Sequence, residues 1–325
     1  MNKKLVAAAI AAAMAAPAAF ADVTVYGKIH MSVDSVDGDG AAYNGEAVVS
    51  RASRIGFKGS EDLGNGLKAV WKFESEILVD NSSGLGGGRD AYLGLAGNFG
   101  TVLAAGKINT PYKNSTGKMD FFGDTLVDYN NTVRIEDNRA SNVLAYISPK
   151  FSGLQFAGAM IAGENVVAGE NGLADAYSVA VTYNNAGISG AIAYEDLNKL
   201  ASASQAKTKW RAGLGYKMDA FKVAAVYENR SDIGGVAAAD STAWQISGAY
   251  SMGNNTLKAM YGDYDLDNST ADGSSWAIGV DHKMSKRTSV YALYGDTDNS
   301  LRGDGDHKVS AVKGSGFSVG MMHSF

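Results

Sequence analysis

GFSVGMMHSF, residues 316–325, carries two incompatible readings. Gly316, Ser318 and Gly320 spell G-x-S-x-G, the spacing of a hydrolase nucleophile elbow, which needs a strand–turn–helix setting. The same letters alternate, placing Phe317, Val319, Met321, His323 and Phe325 on one side of an extended strand. No residues remain after this stretch to form the helix that an elbow requires. The strand reading therefore leads, and the rest of the chain extends it.

Alternation with a period of two runs through the sequence. In VTVYGKIHMSVDSV, Val23, Val25, Ile29, Met31 and Val33 share one face; Tyr26, Lys28, His30, Ser32 and Asp34 share the other. LKAVWKFESEI repeats the pattern, with Leu67, Ala69, Trp71, Phe73 and Ile77 opposing Lys68, Lys72, Glu74 and Glu76. A helix would mix these sets around its perimeter. Short turn-like connections, such as GNFG (97–100), NNAG (184–187) and MGNN (252–255), alternate with longer polar ones. The spacing gives about 16 strands of roughly ten residues, the length a tilted strand needs to cross a bilayer. An even strand count, short turns at one rim and long loops at the other describe an all-β antiparallel transmembrane barrel. A soluble sandwich also alternates, but points its apolar face into a core.

Bulk properties agree with an exported barrel. MNKKLVAAAIAAAMAAPAAFA reads as a signal peptide over residues 1–21, with Lys3 and Lys4, an Ala-rich apolar stretch and an Ala19-Phe20-Ala21 exit. The barrel domain then spans 22–325. Losing Lys3 and Lys4 leaves 27 basic against 34 acidic residues, a formal charge of −7, which disfavours nucleic-acid binding. There is no cysteine, so disulfides cannot hold the exported fold. No later stretch approaches the 18 apolar residues of a spanning helix.

One connection breaks the rhythm. About 30 residues separate TVLAAGKIN (101–109) from NVLAYISP (142–149), and a structureless stretch of that length tends to be functional. It contains Asp120, Asp124, Asp128, Glu136 and Asp137, with Arg134 and Arg139 near its end.

VYGK (25–28), SRIGFKGSEDLGNGLKA (53–69), GRDAYLGL (88–95), AAGK (104–107), MDFFGDT (119–125), NRASNVLAYISPKFSGL (138–154) and terminal Phe325 occur in an order that resembles the general bacterial porins. These are trimeric, 16-stranded barrels of Gram-negative outer membranes. The resemblance covers the whole chain after the leader. It implies a third external loop folded into the lumen, forming a charged eyelet against a basic wall. By matching motifs, the acidic side is Asp120 and Asp124; the basic side is Lys28, Arg54 and Arg89, with Lys107 and Arg134 as neighbours. Two departures bear on eyelet width and selectivity: Lys107 stands where arginine is common, and Phe121-Phe122 replaces a single Phe with an extra Gly. Arg89 has no phase from sequence, because AYLGLAG is apolar on both faces.

The resemblance further implies passive diffusion of small hydrophilic solutes and ions, a homotrimer, contact with outer-membrane lipid and lipopolysaccharide, and insertion by the barrel assembly machinery. Phe325 resembles the insertion signal. No cofactor, no metal and no catalysis are expected. DYDLDNSTADGS (263–274) lacks the glycine and terminal Glu of a calcium loop. The alternatives are a substrate-selective porin for a sugar or anionic nutrient, and a non-channel adhesin or structural barrel.

Overall fold

The alternating segments form strands throughout the computed structural model, which describes residues 23–39, 45–80, 84–164, 171–202, 205–235, 239–267, 272–298 and 313–325. The expected leader, 1–21, lies outside them. In chain order the strands are β1 (Thr24–Asp39), β2 (Gly45–Ser50), β3 (Arg54–Gly64), β4 (Leu67–Leu78), β5 (Gly84–Gly97) and β6 (Gly100–Asn109). Two short helices follow, α1 (Pro111–Thr116) and α2 (Tyr129–Thr132). Then come β7 (Arg139–Ile147), β8 (Leu154–Ile161), β9 (Ala176–Asn185), β10 (Ile188–Asp196), β11 (Thr208–Met218) and β12 (Phe221–Ser231). The last are β13 (Ser241–Met252), β14 (Asn255–Leu266), β15 (Gly273–Lys283), β16 (Thr288–Thr297) and β17 (Lys313–Ser324).

Neighbours in sequence pair antiparallel, and β17 pairs with both β16 and β1, so the sheet closes into a barrel with no free edge. Seventeen segments make 16 staves, because β2 and β3 are one stave interrupted by a bulge. Met31 pairs with Ser50 and Lys28 with Arg54, three steps along β1 against four along its partner. The extra residue sits at Arg51–Ser53, where Ala52 has φ 37°. Ser53 stands in for the lost ladder, accepting from His30 N at 2.9 Å and donating to His30 O at 3.1 Å.

The two faces decide between membrane and soluble folds. Leu93, Ile192 and Leu214 are 62%, 67% and 64% exposed, whereas Lys209, Arg211 and Glu228 on the opposite face are buried. A soluble sandwich has the reverse arrangement. Aromatics ring the exposed face at two heights. Tyr177–Tyr194, Trp210–Tyr227, Trp244–Tyr261 and Trp276–Tyr294 pair at centroid distances of 5.9, 5.3, 5.7 and 5.7 Å near the long-loop rim. Tyr183, Tyr216, Phe221 and Tyr250 lie six residues from that belt along β9, β11, β12 and β13. Six residues span about 20 Å at roughly 3.3 Å each. That suits the ~25 Å apolar band flanked by aromatic girdles of outer-membrane barrels.

The stretch between β6 and β7, read from sequence as structureless, holds α1 and α2. The Thr110 side chain accepts from Lys113 N, with Pro111 opening α1; the Asp128 side chain accepts from Asn130 N and caps α2. Its apolar side chains pack on the buried face of the sheet. Phe122, Leu126 and Val127 join Val36, Met260, Ala277, Tyr291 and Leu293. Met119, Tyr129, Val133 and Ile135 join Ala191, Ala224, Val226, Ala243 and Tyr264. Glycines make the notches: a Cβ at Gly295 or Gly316 would stand 2.6 Å from Val127 or Leu126, respectively.

Those notches also explain the G-x-S-x-G match. Gly316 admits Leu126, the Tyr291 ring lies over Gly320, and Ser318 is buried mid-strand opposite Asp34 and Leu293. There is no elbow.

Candidate functional site

Asp124 has φ 61°, a left-handed conformation that aspartate tolerates better than most residues. Its amide donates to Asp128 Oδ2 at 2.7 Å, and its carboxylate meets Lys28 Nζ of β1 at 2.7 Å. Burial would push the Asp124 carboxyl up, but the Lys28 ammonium outweighs it and holds the group down at about 2. Asp120 behaves differently. Its oxygens accept from the backbone amides of Phe122 and Tyr129 at 2.9 and 3.2 Å. Burial pushes its carboxyl up to about 6. Burial and the nearby Asp120 charge raise Asp128 as well. Thus Asp124 carries full charge at neutral pH, Asp120 ionises only near pH 6, and Asp128 resists ionisation.

The wall beyond Lys28 is organised by Glu74 of β4, which sequence matching did not single out. It accepts from Tyr26 OH at 2.8 Å and Arg89 Nε at 2.6 Å, and lies 3.3 Å from Lys72 and 3.9 Å from Arg54. A second bulge sets this cluster. Phe73 pairs with Ala91 and Ser75 with Gly88, so both Arg89 and Asp90 stand opposite Glu74. Arg89 takes Glu74, and Asp90 takes Lys72 at 2.8 Å. A bulge turns two successive side chains toward one partner, which plain alternation cannot do. A third, between Ala91 and Tyr92 opposite β6, precedes Lys107.

These re-aimed residues meet the long segment at a cavity of about 270 Å³. Arg51, Glu76, Arg89, Lys107 and Arg139 line it from the barrel wall, and Lys113, Asp124 and Asp128 from the segment. A neighbouring cavity of about 530 Å³ is lined by Lys28, Asp120, Asp124, Lys258 and Asp281. Arg54 adjoins the cluster through Glu74 and donates to Ala52 O at 3.1 Å. Arg134 is placed elsewhere: its guanidinium lies 4.7 Å from the Tyr264 ring centroid on β14, and it lines neither cavity. Phe325 exchanges two 3.1 Å backbone hydrogen bonds with Gly27, completing the β1–β17 seam. Arg51, buried and bonded to Asp34, escaped the sequence reading because the bulge at Ala52 breaks the phase. The only signal was a polar cluster, SRASR (50–54), interrupting a strand.

The segment's other side is moored by buried charge. Arg211 reaches Glu228 Oε2 at 2.5 Å, Asp137 Oδ1 at 2.8 Å, Thr116 Oγ1 at 2.9 Å and Glu136 O at 2.8 Å. Tyr112 OH donates to Glu228 at 2.9 Å, and its ring covers the Arg211 guanidinium at 4.1 Å. Lys209 bridges Glu136 at 2.5 Å and Glu195 at 3.2 Å. Burial alone would raise Glu136 and Asp137, yet Lys209 and Arg211 respectively pull them below the usual carboxylate range. Each buried cation has more than one acceptor, so no charge is stranded when the segment is seated.

Comparison with known proteins agrees with this architecture. The family model described as Gram-negative porin matches residues 7–302. The major outer membrane protein P.IB of Neisseria meningitidis serogroup B is 31% identical, covering 91% of this chain and 93% of that protein. The anion-selective porin from Comamonas acidovorans superposes with a TM-score of 0.76 at 22% identity, covering 94% of this chain and 100% of that one. A trimer form of OmpT from Vibrio cholerae gives a TM-score of 0.69 at 17% identity, covering 94% and 99%. With a closed 16-stave barrel, an apolar outer face and a family match over most of its length, this chain belongs to the Gram-negative porins of the outer membrane.

Proposed function

We propose that this porin passes small hydrophilic solutes and ions by diffusion, and that residues 110–138 narrow its lumen to an eyelet. The observation carrying this reading is the 270 Å³ cavity in which the charged Asp124 of the segment meets a wall rich in cations, Arg51, Arg89, Lys107 and Arg139, with Glu76 and Lys113 also in the lining. Opposed charge across a narrow water column sets a transverse field, which orders water and penalises apolar solutes that disturb it. Rings of charge also bias which ions pass. Lys28, Arg54, Arg89, Lys107, Asp120 and Asp124 act in or beside this eyelet, and Arg134 holds the segment against Tyr264 of β14. The leader at 1–21 directs export, and the Phe325 seam serves insertion by the assembly machinery. The aromatic belts suit contact with lipid and lipopolysaccharide, and a homotrimer is the working assembly. No step requires a cofactor, metal or nucleophile.

Reconstitution into a planar bilayer tests the reading. Stepwise, non-saturating conductance supports a general diffusion pore. Saturable block by one sugar or anionic nutrient marks a substrate-selective porin instead. A folded protein that forms no conducting pore overturns both.

A further inference from the structure

Lys217 and Lys222 stand directly opposite each other across β11 and β12, near the short-turn rim. Like charges in directly opposed cross-strand positions destabilise a sheet. Both belong to the inner face: Lys217 follows Lys209, Arg211 and Gly213 at two-residue intervals, and Gly213 touches Met119 of the inner segment. Lys222 precedes Ala224, Val226 and Glu228, all buried, in the same way. Farther round the same mouth, Lys283, Lys286 and Arg287 line a cavity of about 640 Å³ that has no carboxylate in its lining. All five cations are exposed, and none forms a salt bridge among the described residues. Asp219 is the one carboxylate in the β11–β12 turn, and Asp281 is paired with Lys258 at 2.9 Å. On β3 and β4, Lys58 and Lys68 are offset by Glu61 and Asp62.

The long-loop end of the neighbouring staves is charged oppositely. From 259 to 282 there is no lysine or arginine, and Asp263 and Asp265, on the outer face shared with Tyr261, gather at that rim with Asp272 and Asp298. Lys217 lies six residues from Arg211, about 20 Å along the strand. At 0.1 M salt that is roughly twice the Debye length, so the rim charges form a field of their own, apart from the mooring and the eyelet.

We infer that the short-turn mouth is a cationic vestibule that concentrates small anions, giving the channel an electrical polarity independent of its eyelet. Anions accumulate at this mouth and not at the opposite one, so ionic current depends on the sign of the voltage. This rests on the diffusion-pore reading above.

The test is current–voltage measurement on the full-length porin inserted from one side of a planar bilayer, with potassium chloride as the probe. In 0.1 M salt the currents at equal and opposite voltages should differ by about 1.5-fold or more, approaching equality in 1 M salt, where the Debye length falls to about 3 Å. Combining Lys217→Gln, Lys222→Gln, Lys283→Gln, Lys286→Gln and Arg287→Gln should abolish the asymmetry and lower the chloride-to-potassium permeability ratio about two-fold or more. Lys283→Gln, Lys286→Gln and Arg287→Gln alone, clustered at one turn, should remove part of both effects should the fivefold variant fail to fold. A wild-type channel with symmetric currents at 0.1 M overturns the inference, as does a folded variant that keeps the asymmetry. A folded wild-type protein with no conductance instead defeats the pore reading.

Discussion

Lys28 and Asp124 meet at 2.7 Å although 96 positions separate them in the chain. The contact joins the first strand of the barrel to the middle of its longest connection. It needs the barrel closed and the segment seated at once, which makes it a reporter of both.

Asp124→Asn should therefore leave the Lys28 ammonium without its counter-charge and move the pore toward anions. We expect the chloride-to-potassium permeability ratio to rise by roughly two-fold, read as a reversal-potential shift under a salt gradient. Because Lys28 is buried while Asp124 is half-exposed, the stability cost in denaturant titration should exceed that of a surface ion pair yet stay below that of the buried Arg211 cluster.

Arg211→Met should behave in the opposite way. The guanidinium is fully buried and serves Glu228 and Asp137 together. Removing it leaves Asp137 with Lys113 at 3.5 Å and Glu228 with Arg230 at 3.6 Å as their remaining cations, at a cost of about 3 kcal/mol in resistance to denaturant, with the segment becoming sensitive to protease.

Gly295→Val should unseat the segment sterically. A Cβ there would stand 2.6 Å from Val127 and 3.0 Å from Trp276 O, and the latter cannot yield as a side chain can. Overpacking of this kind costs about 1–3 kcal/mol. Single-channel conductance should change, while antiparallel strand content by circular dichroism should not.

Between about pH 4 and 6 the seating of the segment should weaken as pH rises. The Asp120 carboxyl sits at about 6 in the fold against an ordinary 3.8. A raised carboxyl contributes fully below its unfolded value and loses that contribution as pH climbs through the folded one. Asp124, depressed to about 2, has the opposite sign and loses its contribution only in strong acid. Protease sensitivity of 110–138 against pH measures the balance. Asp120→Asn should flatten the profile between pH 4 and 6 and leave the strongly acidic limb intact.

Deleting Phe325 should slow assembly. Its backbone supplies two hydrogen bonds to Gly27 at the closing seam, and its ring lies over the space left by that glycine. Heat-modifiable migration during refolding should show a delayed folded band. Ser318→Ala should match wild type in conductance, because its hydroxyl is buried mid-strand and lines neither of the two charged cavities.

Much of the barrel was legible in the letters. A two-residue period on successive segments assigns faces without any knowledge of neighbours, so Lys28 and Arg54 fall on the polar face of their strands from sequence alone. Turn residues and connection lengths count the staves and separate the rims. Local propensity also marks Thr110-Pro111 and Asp128 as helix starts, signals overlooked because the helices they open are only six and four residues long.

What sequence could not fix is wherever the period slips or distant segments meet. Bulges at Ala52 and at Arg89–Asp90 each add one residue to a strand, and only the register of the paired strand reveals it. That is why Arg51 escaped notice and why alternation alone could not bring Arg89 and Asp90 together opposite Glu74. The fates of Asp120 and Asp124 are equally non-local. One carboxylate binds its own backbone and resists ionising; the other finds an ammonium and stays charged. Alternation settles which way a strand faces, since it follows from the covalent chain. Charge pairing between Lys28 of the first strand and Asp124 of the long segment depends on how distant parts of the chain pack, and only the tertiary structure decides it.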